Sequence, residues 1–402
     1  MSNGLNPAEQ FVFELSRKSF LSLWSYVNPR RQGGGKELCD ILVVCPPDVI
    51  IISVKDICLA GPQISGVEFE RWRRRAIDES VNQLYGAERN IRSTPHVIRA
   101  DNSPGLPFPP PGEIRIHRIA VGFGSRGVVP LRFGDFGKGF VHVFDEVAFH
   151  VVLGELDTVE DFTQYLTAKE QFCSRIIELV QTREEDLLAL YLHRGRSFPQ
   201  ALDVLVVADY LWETIQNKPE YKNKKKADHD SYVWDKLIQR FSKDVISDNL
   251  EPGSSPSNAE LALRTMAREC RFSRRILGQA FKEFLDESRT TGIARMLEVP
   301  SGIVYVFLAA PRNSDRRTRQ AELSNRCFVA RGLHPSSTTV VGIATERYSP
   351  EGFSLDLCQL KLPNWTQKCQ TTMEAMQADL GYFVNPRRTA SHEDEYPKST
   401  DG

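Results

Sequence analysis

Alternation of apolar runs and turn residues predicts a β-hairpin between two helices in the first quarter of the chain. Two apolar runs, Ile41–Val44 and Val49–Ile52, are separated by the sequence Cys45-Pro-Pro-Asp48, which is typical of a strand, a tight turn and a second strand. Residues 8–26 precede the hairpin and carry apolar residues at helical spacing, so they are predicted to form a helix. Residues 66–91 follow the hairpin and are predicted to form a second helix.

Stretches rich in proline and glycine divide the rest of the chain. Residues 101–113 and 249–258 have the composition of linkers. Short strands are expected after the first linker, and helical periodicity extends from about residue 159 to residue 247. The pattern after the second linker predicts, in order, helix, strand, helix, two strands and helix, over residues 259–286, 303–309, 312–331, 338–345, 353–360 and 365–382.

The composition is ordinary for a globular protein. The chain has 402 residues, of which 41% are hydrophobic and 26% charged, and a formal net charge of −1. Overall charge therefore does not argue for a nucleic acid partner, and any such binding must come from local patches. No apolar run reaches the roughly 18 residues that a membrane helix needs, and the N-terminus lacks the basic and apolar regions of a signal peptide. We expect a cytoplasmic location and no membrane partner.

Several classes of chemistry lack support in the sequence. None of the eight cysteines forms a C-x-x-C pair, which argues against a zinc ribbon, and reduced, buried thiols are expected in the cytosol. The chain has no G-x-x-x-x-G-K-[ST], H-E-x-x-H or G-x-S-x-G motif. Nucleotide hydrolysis, zinc proteolysis and serine-hydrolase chemistry are therefore unsupported.

Polar residues at one end of the predicted hairpin are the strongest candidates for a functional site. Asp40 opens the first strand, and Ser53 and Lys55 lie near the end of the second. Side chains alternate across a strand, so Ser53 and Lys55 share one face and Asp40 can lie beside them. An acid next to a lysine in this position predicts a metal site. The alternative is a hairpin with ordinary polar ends, in which Lys55 is a solvated strand terminus.

The arrangement resembles the PD-(D/E)XK nuclease superfamily, over about residues 8–100. In that family an acid starts one strand, a (D/E)-x-K sequence ends the next, and a preceding helix adds a glutamate. Asp40 matches the first acid, Lys55 the lysine and Glu14 the helix glutamate, whereas Ser53 stands in place of the second carboxylate. Gln83, on the helix that follows, matches the glutamine of some branches of the family.

The resemblance implies a restriction-endonuclease-like N-terminal domain, and the pattern of elements along the rest of the chain predicts a β-rich and then helical middle and a separate C-terminal α/β domain. The expected fold class is therefore α/β, of the α+β kind. The expected segments are a nuclease-like domain over 1–102, a β-rich segment over 103–158, a helical segment over 159–250, an α/β domain over 251–385 and a disordered tail over 386–402.

The resemblance also implies a metal-dependent nuclease, a hydrolase of phosphodiesters in DNA or RNA. Asp40 would hold Mg²⁺ with Glu14 or Glu37 and the carbonyl of Val54, and Lys55 would orient water or stabilise the oxyanion. Gln83 would position water or phosphate. The hydroxyl of Ser53 supplies no charge, so weak metal binding is expected. The alternative function is an inactive module that kept the fold and binds nucleic acid or a protein partner. The sequence does not predict the oligomeric state.

Two groups of arginines are candidates for contacts with phosphate. The first, on the helix after the hairpin, consists of Arg71, Arg73, Arg74 and Arg75; it is interpreted either as a nucleic-acid-binding surface or as a solvated helix face. The second consists of Arg264, Arg268, Arg271 and Arg275, spaced along one face of the predicted helix 259–286. For this second group we favour pairing with nearby acids (Glu260, Glu269 and Glu283) over contact with phosphates.

Overall fold

A computed structural model describes the chain from residue 5 to residue 398, with short gaps. The described residues are 5–33, 35–58, 66–125, 132–180, 183–200, 203–249, 255–290, 292–311, 314–347, 354–386 and 393–398. The chain divides into two compact units, Met1–Tyr221 and Lys222–Gly402. Both units combine helices with mixed sheets, which confirms the predicted α+β class.

The first unit contains most of the strands. Its helices are α1 (Pro7–Phe20), α2 (Gly66–Arg73), α3 (Glu79–Ile91), α4 (Glu146–Glu155), α5 (Val159–Cys173), α6 (Glu184–His193) and α7 (Leu211–Asn217), and α8 (Pro219–Ala227) crosses into the second unit. Its strands are β1 (Ser25–Val27), β2 (Ile41–Cys45), β3 (Asp48–Asp56), β4 (His96–Ile98), β5 (Pro104–Pro107), β6 (Arg115–Phe123), β7 (Gly134–Asp135), β8 (Phe140–Phe144), β9 (Glu178–Val180) and β10 (Val204–Val206).

A six-stranded mixed sheet with the order β1-β2-β3-β6-β8-β7 forms the centre of this unit. Strands β1, β2 and β3 are antiparallel neighbours, whereas β3, β6 and β8 run parallel. The helical stretch of α2 and α3 connects β3 to β6 across one face of the sheet, as a parallel crossover requires. Helix α3 packs on β3 and β6, and α1 packs on β2 and β3. The β2–β3 hairpin is thus in contact with α1 and with α3.

The predicted hairpin is present and its strands are buried on both faces. Leu42 and Ile51 pack with Trp72 and Leu84 of the helical crossover, and Ile50, on the opposite face of β3, is also fully buried. A strand that is covered on both faces has a continuous apolar sequence, which explains why the pattern is clear from the sequence.

The two predicted helices around the hairpin differ from the prediction in detail. Helix α1 ends at Phe20 and not near residue 26, because Leu21 adopts a left-handed conformation with φ 68°, which an α-helix does not tolerate. The predicted helix 66–91 is helical throughout but contains a π-helical turn at Arg74–Asp78. A π-helical turn contains one extra residue, so the residues that face the sheet in α3 are offset by one position from those in α2.

The chain divides differently from the predicted segments. Residues 101–113 do not separate two folding units, because β6 pairs with β3 along its whole length of nine residues. The boundary between the two units, after Tyr221, falls inside the predicted helical segment. Local composition marks a loop correctly but does not reveal that the strand after the loop returns to the same sheet.

The second unit contains a four-stranded sheet with the order β11-β12-β13-β14. Its strands are β11 (Ile293–Glu298), β12 (Val304–Ala310), β13 (Thr339–Glu346) and β14 (Leu355–Lys361), and its further helices are α9 (Ser231–Ile246), α10 (Pro256–Ala267), α11 (Arg271–Glu287), α12 (Arg316–Leu333) and α13 (Gln367–Leu380). Strands β12 and β13 are parallel and are connected through α12; the other neighbours are antiparallel. The predicted helix 259–286 is two helices, α10 and α11.

Three of the four arginines of the second group form ion pairs with acids. Arg271 and Arg275 are each 3% exposed and form ion pairs with Asp235 (2.8 Å) and Asp228 (3.3 Å). Arg264 pairs with Glu260 at 3.7 Å, as the favoured interpretation predicted. The partners of the two buried arginines come from α9 and from the turn before it, which sequence spacing within α10 and α11 does not reveal. Contact of Arg271 and Arg275 with nucleic acid is excluded by their burial.

Part of the predicted disordered tail packs on the second unit. Arg275 donates hydrogen bonds to the carbonyl oxygens of Asp394 (2.7 Å) and Glu395 (3.2 Å), and Asn223 donates to the carbonyl of Pro397. Residues 387–392 and 399–402 lie outside the described residues. Among the described helices, none is long and apolar enough to cross a membrane.

Candidate active site

The register of the hairpin brings Asp40 to the end of strand β3. Ile41 pairs with Ile52, so Asp40, which comes one residue earlier, lies opposite Ser53. Directly opposed residues on antiparallel strands project to the same face. Asp40 and Ser53 are therefore neighbours on the face that α3 covers, as the sequence predicted.

The carboxylate of Asp40 is held by the strand next to it. Its Oδ2 atom accepts a hydrogen bond of 2.5 Å from the backbone N–H of Val54. Lys55 follows directly, is half-buried and shares the face of Ser53 because side chains alternate. Among the described residues no ion pair within 4.0 Å joins Lys55 to Asp40. The charges of Asp40 and Lys55 nevertheless both affect the pKa of a common neighbour, Glu9.

Glu9 of α1 lies within electrostatic reach of both Asp40 and Lys55. Burial raises the pKa of the Glu9 carboxyl, a hydrogen bond from the backbone N–H of Asn6 lowers it, and the charges of Asp40 and Lys55 act in opposite directions; the net pKa is raised. The first turn of α1 thus approaches the end of the hairpin. Glu9 also belongs to a capping box with Asn6, and this local role hides its proximity to the site from sequence reasoning.

The carboxyl group of Glu37 lies beside Asp40 and has a raised pKa. Burial of the Glu37 carboxyl, the negative charge of Asp40 and the hydrogen bond between the two groups raise the pKa of Glu37 to about 7. Glu9 raises it further, and Arg30 lowers it. With its amide nitrogen turned toward Glu37, Asn28 donates a hydrogen bond of 3.2 Å to Oε1 of Glu37. Glu37 does therefore reach Asp40, as the sequence analysis allowed.

Ser53 and Gln83 are brought together, but they bind each other. The Oγ atom of Ser53 donates a hydrogen bond of 2.9 Å to Oε1 of Gln83 on α3, and Ser53 is 1% exposed. The position that matches the second family carboxylate therefore holds a neutral, buried and hydrogen-bonded pair. Gln83 lies on α3, which packs on β3 and β6.

Glu14, the predicted helix acid, is exposed and accepts a hydrogen bond of 2.5 Å from Gln10 on the same helix. Five residues correspond to about 500° of helical rotation, so Glu14 and Glu9 point in directions about 140° apart. The acid of α1 that approaches Asp40 is Glu9. Sequence periodicity predicts which face of a helix is buried, but it does not predict which turn of the helix lies next to the hairpin.

The first group of arginines is largely exposed. Arg73 pairs with Glu70 (2.9 Å) and Asp78 (3.1 Å). The exposed members are Arg71, Arg74 and Arg75. Between them Trp72 is buried and donates from Nε1 to the carbonyl of Ile57 at 2.6 Å, which fixes this helix to the end of β3. The exposed cations therefore lie on the same helical crossover that carries Gln83.

The carboxyl groups supply oxygen donors of the kind that Mg²⁺ prefers. Asp40 and Glu37 are in contact, and Mg²⁺ is commonly bound by one or two carboxylates together with water and substrate phosphate. Within the described part of the chain, no three or more side chains of His, Cys, Asp or Glu are grouped so that they could hold a metal ion. Two carboxyl groups, one of which has a raised pKa, therefore fit only a cation that is held partly by water.

Comparisons with protein-family models, curated proteins and solved structures found no match to this chain.

Proposed function

We propose that the first unit is a nuclease-like domain that acts on DNA or RNA with a divalent cation, at the end of the β2–β3 hairpin. The observation that carries the proposal is the pair of Asp40 and Glu37 at the strand end that holds Lys55, with the charge of Glu9 acting on Glu37. The order of helix, hairpin and helix agrees with what the resemblance to the PD-(D/E)XK superfamily implies.

Asp40 and Glu37 would hold the cation, with the carbonyl of Val54 as a further oxygen. When bound, a divalent cation polarises the phosphate and lowers the pKa of a coordinated water. The pKa of Glu37 is raised to about 7, so its carboxyl must lose a proton before it can bind a cation, and binding would release that proton near neutral pH. Lys55 would hold a non-bridging phosphate oxygen and stabilise the charge that develops on it.

The exposed arginines give the domain a surface for the substrate backbone. Arg71, Arg74 and Arg75 lie on the helical crossover, and Trp72 fixes that helix to the end of β3. Arginines bind phosphates through charge and without regard to base sequence. Replacing all three with glutamine should weaken binding of nucleic acid and make its salt dependence less steep. On duplex DNA the log–log slope should change by about 0.9 for each phosphate that the variant no longer neutralises.

The direct test is a cleavage assay with labelled single- and double-stranded DNA and RNA in Mg²⁺ or Mn²⁺. We expect cleavage by the wild type, and a loss of about 100-fold or more in Asp40→Asn and in Lys55→Ala, because each removes a group that acts on the developing charge. Asp56→Asn is the matched control, since Asp56 is an exposed acid next to Lys55 on the same strand. Cleavage that survives both site substitutions would place the chemistry elsewhere.

The second candidate function is an inactive module that kept the fold. The hydrogen bond between Ser53 Oγ and Gln83 Oε1 favours it, because the position of the second family acid contributes no charge. Ser53→Glu distinguishes the two functions. In a nuclease-like site it should strengthen Mn²⁺ binding, which thermal unfolding would report as a larger stabilisation by Mn²⁺ than in the wild type. Nucleic acid binding without Mn²⁺ binding in either protein would support the inactive module.

A further inference from the structure

Two cysteines from different elements of the second unit are in contact. Cys327 lies on α12 and Cys358 on β14, and their Sγ atoms are 3.7 Å apart. Both are free thiols. A disulfide has an S–S distance of about 2.05 Å, so the sulfurs must approach by less than 2 Å. Side-chain rotation covers such a distance when the backbones are close.

A glycine on the strand between them makes this contact possible. Gly342 of β13 pairs directly with Cys358. A Cβ atom at position 342 would lie 2.5 Å from the Sγ of Cys327 and 2.8 Å from the Sγ of Cys358. Any other residue at position 342 would therefore displace both sulfurs. Helix α12 and strand β14 therefore meet over Gly342, the one position of β13 that carries no side chain.

The two thiols differ in their access to solvent. Cys327 is 1% exposed, whereas Cys358 is half-buried and lines an open cavity of about 830 Å³. Arg316, Gln320 and Lys361 line the same cavity. A small polar oxidant can reach Cys358 through this cavity but cannot reach Cys327 directly.

The hydrogen bond between the thiols makes them chemically unequal. The hydrogen bond with Cys327 holds the pKa of Cys358 below its usual value against the opposing effect of burial, and the backbone hydrogen bond with Gly342 acts in the same direction. The same interaction, together with burial, holds the pKa of Cys327 well above its usual value. The thiolate is the nucleophile in cysteine oxidation, so the accessible cysteine is also the more reactive one.

We propose that Cys358 and Cys327 form a peroxide-reactive dithiol, in which Cys358 is the attacking thiol and Cys327 the resolving thiol. The Sγ thiolate of Cys358 attacks one oxygen of hydrogen peroxide, the O–O bond breaks, and the leaving hydroxide takes up a proton to become water. Cys358 is then a sulfenic acid. The Sγ of Cys327 attacks that sulfur, the S–S bond forms, and the hydroxyl leaves as water with the proton of Cys327. Two thiols lose two electrons and one peroxide becomes two waters.

The disulfide would tie the last strand of the sheet to α12. Among the described strands, β14 pairs with β13 alone, so the bond would add a covalent link from an edge strand to helix α12, which packs on it. Cys358 lies in the wall of the cavity, and oxidation would change that wall. Dithiol reductants would reverse the change by thiol–disulfide exchange.

The test is a peptide map of the full chain after exposure to hydrogen peroxide, with free thiols blocked before digestion. Trypsin cuts after Arg326 and Arg331, and after Arg347 and Lys361, so the two cysteines fall in separate peptides. We expect the wild type to lose two of its eight thiols and to yield these two peptides joined, with a mass lower by two hydrogen atoms and recovery on reduction. This readout does not depend on any substitution.

Variants assign the order of attack. Cys327→Ser should give no joined peptide and should leave a sulfenic acid on Cys358 that dimedone traps, whereas Cys358→Ser should give neither product. Cys369→Ser is the matched control: Cys369 is also half-buried, and among the described residues no hydrogen bond joins it to another cysteine, so this variant should still give the joined peptide. Oxidation of Cys369 or Cys58 at peroxide levels that leave the Cys358 peptide unmodified would overturn the proposal.

Discussion

Glu37 keeps a proton at a pH where an isolated glutamic acid has lost it. Its pKa is raised from 4.5 to about 7 because the carboxyl is desolvated and lies against Asp40 and Glu9. Two carboxylates in contact repel each other, so ionising both is unfavourable unless a cation lies between them. At the scale of the residue, the candidate site therefore contains a carboxyl group that stays protonated up to about pH 7 because of its acidic neighbours and its burial.

This shift predicts how the stability of the metal-free first unit depends on pH. Between pH 4.5 and 7 the folded state binds more protons at Glu37 than the unfolded state does, so the free energy of unfolding falls as pH rises through this range. The contribution is fully present below about pH 4.5. We expect Glu37→Gln to flatten this part of the profile, as measured by urea unfolding between about pH 4.5 and 8 in the presence of a chelator. Identical profiles for the two proteins would contradict the assignment.

The residue that sequence reasoning misses is Glu9, and the reason is geometric. An acid three residues after Asn6 is a recognised capping pattern, and it does form the capping box. The sequence contains no information on how far α1 extends past the hairpin end, so it favours Glu14, nearer the middle of the helix. The pairing of Ser53 with Gln83 is also hidden, because it depends on how α3 lies across the sheet.

At the scale of the element, buried ion pairs fix the helices of the second unit. Asp235 of α9 accepts from Arg271 (2.8 Å) and Arg274 (2.6 Å), and both arginines are at most 3% exposed. Burial raises the pKa of Asp235, but the charges and hydrogen bonds of Arg274 and Arg271 outweigh burial and hold the pKa below its usual value. The arginines on α11 thus serve packing between α9 and α11.

Removing that carboxylate should destabilise the second unit strongly. Asp235→Ala removes the carboxylate that pairs with two buried guanidinium groups, which we expect to cost about 3–5 kcal/mol of unfolding free energy. The matched control is Asp286→Ala on α11, which breaks an exposed pair with Arg289 at 3.0 Å and should cost about 0–1 kcal/mol. Urea unfolding of both variants measures the difference. Equal costs would show that the buried pair does not hold the helices together.

The elements themselves are predictable to the extent that local pattern determines them. The hairpin β2–β3 follows from its apolar runs, and the α/β order of the second unit follows from alternating periods. The break between α10 and α11 is missed because Arg268–Cys270 contain no proline or glycine. Strand β11 is missed because all its residues except the last are half-buried, so no apolar contrast marks it.

At the scale of the whole molecule, the first unit is completed by strands far along the chain. Strand β3 is fully buried at Ile50, Ile51 and Ile52, and its second neighbour is β6, beyond the predicted boundary at residue 102. Pairing between distant strands cannot be read from local composition. The predicted linker therefore has the composition of a domain boundary, although it connects two parts of one sheet.

Truncation tests this division. A fragment of residues 1–102 lacks β6 and β8 and exposes an apolar edge of β3, so it should aggregate or stay unfolded. A fragment of residues 1–221 keeps the whole six-stranded sheet and should show a cooperative thermal transition by circular dichroism. A cooperative transition in the shorter fragment would mean that the hairpin and its two helices fold without β6.

The central claim is that Asp40 and Glu37 hold a divalent cation beside Lys55, and calorimetric titration with Mn²⁺ at about pH 7 tests it most directly. The account predicts binding by the wild type, with a heat that varies with the ionisation enthalpy of the buffer because Glu37 releases its proton. Binding should be lost in Asp40→Asn and kept in Asp56→Asn. Absence of binding in the wild type, or binding that Asp40→Asn leaves unchanged, would contradict the account.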